Sequence, residues 1–221
     1  MKSRLLIFCI ISLILFSCKS KTAKKDKPDN NTGKDTTQVK IEADSNVSKD
    51  PGMVAVLTRL TSDILTEIKK GNYPALANYI DPVTGLRFSP YGFVDTLHDV
   101  VLSKEDFLKK TAKPNDGKIL WGEMDGSGEP IRMTINQYMK RFVYDVDFVK
   151  PEKFTINEFT GHSNSFNNLK AIYYDCDFTE SHFSGLDKKY EGMDWRSLKL
   201  VYRLRYGQYY LAGIVHDEWT T

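Results

Sequence analysis

The apolar positions of the chain follow a helical period in its first half. After Asp50-Pro51, a cap and a first helical residue, apolar side chains recur every three or four positions up to Gly71. These positions are Met53, Leu57, Leu60, Ile64 and Ile68. The pattern predicts one long amphipathic helix that glycine ends.

Shorter helices are predicted from capping signals. Asn72-Tyr73-Pro74 begins one, which Asp81-Pro82 ends, and the sequences SKED (103–106) and TINQ (134–137) are typical of capping boxes that begin two more. Between them, LRFS (86–89) predicts a short strand.

The period changes to two in the second half. FTINEF (154–159), AIYYDCDF (171–178), SLKLVYRLRY (197–206) and YYLAGIVH (209–216) predict four strands. Gly207-Gln208 between the last two predicts a two-residue type II′ turn. Helices followed by a meander of strands predict an α+β domain, with the N-terminal helices packed on one face of a curved antiparallel sheet.

The N-terminal segment has a different pattern. Lys2 and Arg4 precede an apolar run over 5–16, which is shorter than the about 20 residues of a membrane span. This arrangement predicts a secretory signal peptide over 1–17. The following LFSC (15–18) resembles the lipobox of bacterial lipoproteins. The resemblance implies that the chain is cleaved just before Cys18 and that Cys18, now the first residue, is lipidated. The lipid would anchor the protein to a membrane of the bacterial cell envelope. The sequence does not indicate which leaflet.

Composition divides the remainder into a polar tether over 18–51 and a single globular domain over 52–221. The domain contains 21 Lys and Arg against 23 Asp and Glu, so it lacks the basic surface that nucleic acid requires. Its one cysteine, Cys176, allows no internal disulfide. We therefore expect a hydrophobic core alone to hold the domain together.

The order of elements and the closing hairpin, over about Met53 to Trp219, resemble the nuclear-transport-factor-2-like, or cystatin-like, superfamily. The resemblance implies a cone in which the long first helix crosses the sheet and a pocket opens between them. The superfamily includes isomerases, dehydratases and non-catalytic binding domains, so the resemblance does not choose a function.

The predicted hairpin indicates which side chains face that pocket. A Gly207-Gln208 loop pairs Tyr206 with Tyr209, which turns Tyr202 and Asp217 inward and His216 outward. One β-bulge would reverse the last two assignments.

A repeated acidic pattern, YDVDF (144–148) and YDCDF (174–178), raises the question of a shared site. In the later copy Tyr174, Cys176 and Phe178 are predicted to face the core, so Asp175 and Asp177 would face outward near Arg203 and Arg205. The earlier copy follows a helix end, and we expect Asp145 and Asp147 at the pocket mouth.

Candidate ligand-binding residues follow from these placements. They are Arg87, Tyr91, Trp121, Tyr144, Asp145, Asp147, Tyr202 and Asp217. We predict no catalytic residue, metal site or cofactor. The segment EMDGSGEPI (123–131) starts like a calcium loop, but Thr134 stands where a bidentate glutamate is required, so DGSG is interpreted as a turn.

Three functions stay open. The domain could bind a small molecule, a glycan or an envelope protein without chemistry, which is the function we favour. It could be a small-molecule enzyme in which Asp145, Asp147 or Asp217 transfers protons. It could also be a structural subunit, and we expect any homodimer to form through the outer sheet face.

Overall fold

The computed structural model describes residues 50–160 and 166–220. The signal peptide over 1–17, the lipidation of Cys18 and the tether up to residue 49 lie outside these residues. Within them, no helix combines the length and the apolar character that a membrane span needs.

The long first helix, α1 (Pro51–Lys70), is confirmed at both ends. The Asp50 carboxylate accepts a hydrogen bond from the backbone N–H of Gly52, and Gly71 closes the helix in the left-handed conformation at φ 68°. Its buried face includes Leu57, Ile64 and Ile68. Helical period and caps therefore agree, and α1 forms as predicted.

The shorter helices are also confirmed. They are α2 (Tyr73–Leu76), α3 (Lys104–Ala112) and α4 (Ile135–Tyr138). Ser103 caps α3, and Thr134 and Gln137 form a reciprocal capping box at α4. Short turns continue two of them, a 3-10 turn at Ala77–Tyr79 after α2 and a π-helical turn at Met139–Val143 after α4.

A curved, open six-stranded sheet forms the centre of the fold, which makes the domain α+β as predicted. Its strands are β1 (Leu86–Ser89), β2 (Val100–Leu102), β5 (Lys153–Ile156), β6 (Asp177–Phe183), β7 (Arg196–Arg205) and β8 (Gln208–Glu218), in the order β2-β1-β8-β7-β6-β5. The prediction of a purely antiparallel sheet is wrong, because β1 pairs in parallel with β8. Local periodicity identifies a strand, but not its neighbour or direction.

A separate hairpin of β3 (Ile119–Glu123) and β4 (Pro130–Met133) lies outside that sheet. The DGSG segment forms its turn, with Gly126 at φ 80° and Gly128 at φ 68°. The interpretation of DGSG as a turn is therefore confirmed.

The two faces of the six-stranded sheet are covered differently. Helix α1 covers the inner face, where the Thr61 hydroxyl hydrogen-bonds to those of Tyr202 and Thr179, at 2.8 and 2.9 Å. A smaller apolar cluster packs on the outer face, and includes Val94, Leu169, Tyr173, Phe178, Val201, Ala212 and Val215. The predicted homodimer through the outer face stays a prediction, and it would have to form around this covering.

The hairpin register differs from the predicted one. The loop is Tyr206-Gly207, with φ 52° and 78°, as a type I′ turn requires, and not a type II′ turn at Gly207-Gln208. Ala212 is an extra residue in β8, because Val201 pairs with Gly213 while Tyr202 pairs with Leu211. This bulge turns His216 toward the inner face and Asp217 toward the outer face, the reverse of the prediction.

The predicted strand over 171–178 is wrong. Helix α5 (Leu169–Ile172) takes its first residues, and β6 starts only at Asp177. Tyr174 is 85% exposed rather than buried, and Phe178 packs on the outer face. Leu169 and Tyr173 anchor a helical turn here, which short apolar alternation does not distinguish from a strand.

Candidate functional site

The predicted site residues do not meet in one pocket. Trp121 and Tyr202 are fully buried in the core. Tyr202 fills space between α1 and the sheet, where the resemblance implied a pocket, and its hydroxyl bonds to Thr61. At this point the interior of the fold is packed core.

The two acidic copies also occupy different surroundings. Asp147 is half-exposed and accepts hydrogen bonds from Lys69 at 2.8 Å and from the hydroxyl of Tyr144 at 2.5 Å. Asp175 is exposed and pairs with Arg203 at 3.2 Å, as predicted. Asp177 departs from its prediction, because it faces α1 and accepts hydrogen bonds from Tyr209 and Asn157.

Asp145 belongs to a group that we call the arginine–carboxylate cluster, defined by Arg141, Asp145, Arg196, His216 and Glu218. Arg196 Nε lies 2.7 Å from Asp145 Oδ2, and its Nη2 lies 3.2 Å from Glu218 Oε2. Arg141 forms a second, bidentate pair with Glu218. Burial raises the pKa of Asp145, but contacts with His216 and Arg196 outweigh it, and the net pKa is lowered.

The cluster contains the one group of three metal-ligand side chains within 4.8 Å found among the described residues: Asp145, His216 and Glu218. Most of their ligand atoms already have partners, although Asp145 Oδ1 is buried without one among the described residues. Guanidinium groups contact Asp145 and both oxygens of Glu218, and the His216 nitrogens lie 3.3 Å from two acceptors, Pro90 O and Asp145 Oδ2. The arginines supply the positive charge that a metal ion would, so this geometry is that of a structural ion-pair network.

Asp217 lies on the opposite face of the same strand end. Its Oδ2 accepts a hydrogen bond from Lys199 Nζ at 2.8 Å, and Lys199 is itself 1% exposed. Gly92 packs closely against Asp217, so that a Cβ added at Gly92 would lie 2.6 Å from Asp217 Oδ2. Asp217 is therefore an interior ion-pair partner rather than a pocket residue.

An open site lies elsewhere, between the loop of residues 90–99 and the β3–β4 hairpin. We call it the acidic cleft. Its volume is about 690 Å³. Its apolar lining residues are Pro90, Tyr91, Phe93, Leu97, Leu120 and Met124, and its ionisable lining residues are Asp95, His98, Asp99, Glu123 and Asp125. Tyr91 is the only predicted site residue in this lining.

Two aspartates shape the loop side of the cleft. Asp95 accepts backbone hydrogen bonds from Leu97 and His98, which makes a local turn. Asp99 accepts from the Ser89 hydroxyl at 2.5 Å and from the Asp95 backbone N–H at 3.1 Å. The predicted residue Arg87 lies behind this loop and donates to the Asp95 carbonyl.

The two aspartates differ electrostatically. Burial raises the pKa of Asp99 to about 6, because the Ser89 hydrogen bond and the charge of Arg87 offset only part of the desolvation. Burial also raises the pKa of Asp95, but the His98 side chain at 2.6 Å and the backbone N–H groups of Leu97 and His98 together outweigh it, and the net pKa is lowered. The cleft thus contains one carboxyl group that titrates close to neutral pH.

The core behind the cleft lining contains a buried hydroxyl, that of Tyr138. Tyr138 is 1% exposed, and its hydroxyl has no hydrogen-bond partner among the described residues. Burial raises its pKa well above the usual value, and the nearby charges of Asp99 and Tyr91 add to the increase. The predicted residue Trp121 stacks on the Tyr138 ring at 4.0 Å, and its two chain neighbours, Leu120 and Gly122, line the cleft.

Sequence reasoning missed most of this site. Asp95, His98 and Asp99 lie in a ten-residue loop without periodicity, and Glu123 and Asp125 were considered only as calcium ligands. The available signal was the concentration of acidic and aromatic residues in YGFVDTLHD (91–99), just after the predicted strand LRFS (86–89). Only the fold brings that loop to the hairpin.

Comparison of the chain with protein-family models found no match, and neither did comparison with curated proteins. The interpretation of the acidic cleft therefore rests on its geometry and chemistry.

Proposed function

We propose that this chain is a lipid-anchored protein of the bacterial cell envelope whose domain binds a small ligand in the acidic cleft without transforming it. The volume of the cleft, about 690 Å³, is the observation that carries the binding proposal. Ligand sites typically measure about 300–1,000 Å³ and combine apolar walls with a few converging polar groups. The anchor rests on LFSC and the short apolar run before it.

The surroundings of the other candidate residues favour binding over catalysis. Asp145 and Asp217 are engaged by Arg196 and Lys199, at 2.7 and 2.8 Å, so they are poor proton-transfer groups. Glycan and envelope-protein partners remain alternatives for the same cleft. In each case the tyrosine and carboxylate lining would provide the contacts.

A second candidate function is acid/base catalysis by Asp99. A carboxyl group with a pKa of about 6 in an open cleft suits proton transfer near neutral pH. In this second candidate function, Asp99 takes the proton-transfer role that the sequence analysis considered for Asp145, Asp147 or Asp217. The two functions differ in the fate of the ligand, which a binding domain returns intact.

Native mass spectrometry of the full chain, purified in detergent from its own host, tests the cleft. We expect a retained small molecule that Leu120→Trp removes, because Leu120 is 47% exposed and lines the cleft. The control is Val56→Trp, since Val56 is also 47% exposed but lies on α1. Retention of the ligand by Leu120→Trp would contradict the proposal, and a ligand mass altered on incubation would favour the enzyme.

The anchor is tested separately with Cys18→Ser. We expect loss of fatty-acid labelling and release from the membrane fraction, because the acyl chains would have no attachment point. Unchanged labelling would show that the lipobox resemblance is misleading.

A further inference from the structure

We infer that the ligand of the acidic cleft is a protonated amine with an apolar body. This inference rests on the proposed function, and it adds the chemical class of the ligand. Three features of the described residues carry it: carboxylates without a lysine or arginine ion pair, a buried hydroxyl on which the charge of one of them acts, and apolar walls.

The first feature is negative charge that no lysine or arginine pairs with directly among the described residues. In residues 50–160 and 166–220, no lysine or arginine forms an ion pair with Asp99, Glu123 or Asp125. Asp99 lies partly buried in the loop, while Glu123 and Asp125 stand exposed on the hairpin. A cation that enters the cleft would therefore meet negative charge at the rim and again below it.

The second feature is the Tyr138 hydroxyl. It is buried, has no hydrogen-bond partner among the described residues, and its pKa is raised in part by the charge of Asp99. An unpaired buried polar group costs stability, and in native structures such a group calls for an explanation. An ammonium group bound at the Asp99 carboxylate would bring a positive charge near this oxygen, although Tyr138 itself is not among the residues that line the cleft.

The third feature is the wall of the cleft. Phe93 and Leu120 are 46% and 47% exposed, and Tyr91 and Met124 stand beside them. Such a lining fits a hydrocarbon or aromatic body, and the aromatic faces also attract a cation. A fully hydrated inorganic cation would gain nothing from these walls.

A single metal ion fits the cleft less well than an amine. The cleft carboxylates do not form a set of three ligand atoms within 4.8 Å of one another, a spacing that the described residues show only in the arginine–carboxylate cluster. Calcium requires six to eight oxygen ligands at about 2.3–2.6 Å. An amine needs only one carboxylate and one further acceptor.

The inference includes a pH dependence. Asp99 must be ionised to bind an ammonium group, and burial raises its pKa to about 6. The other titratable or charged groups that act on it are Arg87, Asp95, His98, Tyr138 and Tyr173. Affinity for the amine should therefore rise about tenfold between pH 5 and pH 7.5, and level off above that.

The test uses the full chain in detergent and measures binding by isothermal titration with phenethylamine and with phenethyl alcohol, a neutral probe of similar shape. We expect the amine to bind at least tenfold more tightly than the alcohol at pH 7.5. Asp99→Asn should remove that preference and its pH dependence, while Asp116→Asn, an exposed carboxylate outside the cleft, should change neither. Thermal melting of each variant checks that it is folded.

The outcomes separate this inference from the proposed function. If the alcohol binds as tightly as the amine and Leu120→Trp removes both, the cleft binds ligands but the amine inference is overturned. Amine binding that survives Leu120→Trp or Asp99→Asn, or no amine binding up to about 10 mM, also overturns the inference. The proposed function itself is judged on the retained ligand in native mass spectrometry.

Discussion

The acidic cleft and the arginine–carboxylate cluster lie close together, yet their carboxylates differ in whether they form ion pairs with arginine. Tyr91 of the cleft packs on Phe142 at 5.7 Å, and Phe142 packs on His216 of the cluster at 5.9 Å. In the cluster, both carboxylates contact guanidinium groups. In the cleft, Asp99 has hydrogen bonds but no ion pair among the described residues. The difference separates carboxylates that are paired within the fold from one that we propose is available to a ligand.

The pKa shifts express the same contrast. Burial alone would raise the pKa of both Asp145 and Asp99. Contacts with His216 and Arg196 lower it for Asp145, whereas burial prevails for Asp99. Each group then stabilises the fold in its own pH range, and this makes the comparison measurable.

The largest expected effect comes from breaking the cluster. Arg196→Met should lower the free energy of unfolding by about 2–4 kcal/mol, because it leaves Asp145 and Glu218 with less compensation at 14% and 7% exposure. Urea denaturation measures the loss. The control Arg59→Met breaks an exposed pair with Asp63 and should cost about 0–0.5 kcal/mol. Equal losses in the two variants would refute the structural role of the cluster.

Asp99→Asn should stabilise the protein at pH 7. The shift of its pKa from 3.8 to about 6 would correspond to about 3 kcal/mol for a fully buried group, and partial exposure reduces our expectation to about 1–2 kcal/mol. The native state binds this proton more tightly than the unfolded state. Protonated Asp99 therefore contributes its full stabilisation to the wild type below about pH 4. That contribution to the free energy of unfolding declines as the pH rises to about 6.

Urea denaturation of both proteins between pH 4 and pH 8 tests that sign. The stability difference between Asp99→Asn and the wild type should grow with pH and become constant above about pH 7. Asp116→Asn is the matched control and should show no such difference. A variant that is less stable than the wild type at pH 7 would mean that the Asp99 charge is compensated after all.

Two buried tyrosines allow the same comparison for hydroxyl groups, with a smaller expected change in stability. Tyr138→Phe removes a hydroxyl that has no partner among the described residues, and should be neutral or stabilising by up to about 1 kcal/mol. Tyr202→Phe removes a hydroxyl bonded to Thr61 at 2.8 Å and should destabilise by about 1 kcal/mol. Thermal and urea unfolding measure both changes. The same sign in both variants would contradict the assignment of the unpaired hydroxyl to Tyr138.

The smallest effect is expected for a paired carboxylate on the surface. Asp175 pairs with Arg203 at 3.2 Å but is 45% exposed, so Asp175→Asn should cost less than about 0.5 kcal/mol. The pair of Asp175 and Arg203 joins the same chemical groups as the arginine–carboxylate cluster, but its carboxylate is exposed. A cost above about 1 kcal/mol in urea denaturation would show that burial is not what distinguishes the two regions.

The local structure of this domain follows from short-range sequence patterns. Caps and helical period located α1, α3 and α4, because both act within a few residues of each helix end. The glycines of DGSG identified the β3–β4 turn, because only glycine adopts those backbone angles without cost. The order of elements was sufficient to predict the α+β class. The predicted outward position of Asp175 beside Arg203 also agrees with the structure.

Tertiary structure decided how these elements combine, and hence the site. One extra residue in β8, Ala212, exchanged the directions of His216 and Asp217, because side chains alternate along a strand and one residue reverses every later assignment. Packing selects that bulge: Ala212 joins the outer apolar cluster, and Gly213 makes room for the Tyr173 hydroxyl. The acidic cleft likewise joins a loop to a hairpin remote in sequence, a contact that local patterns do not encode.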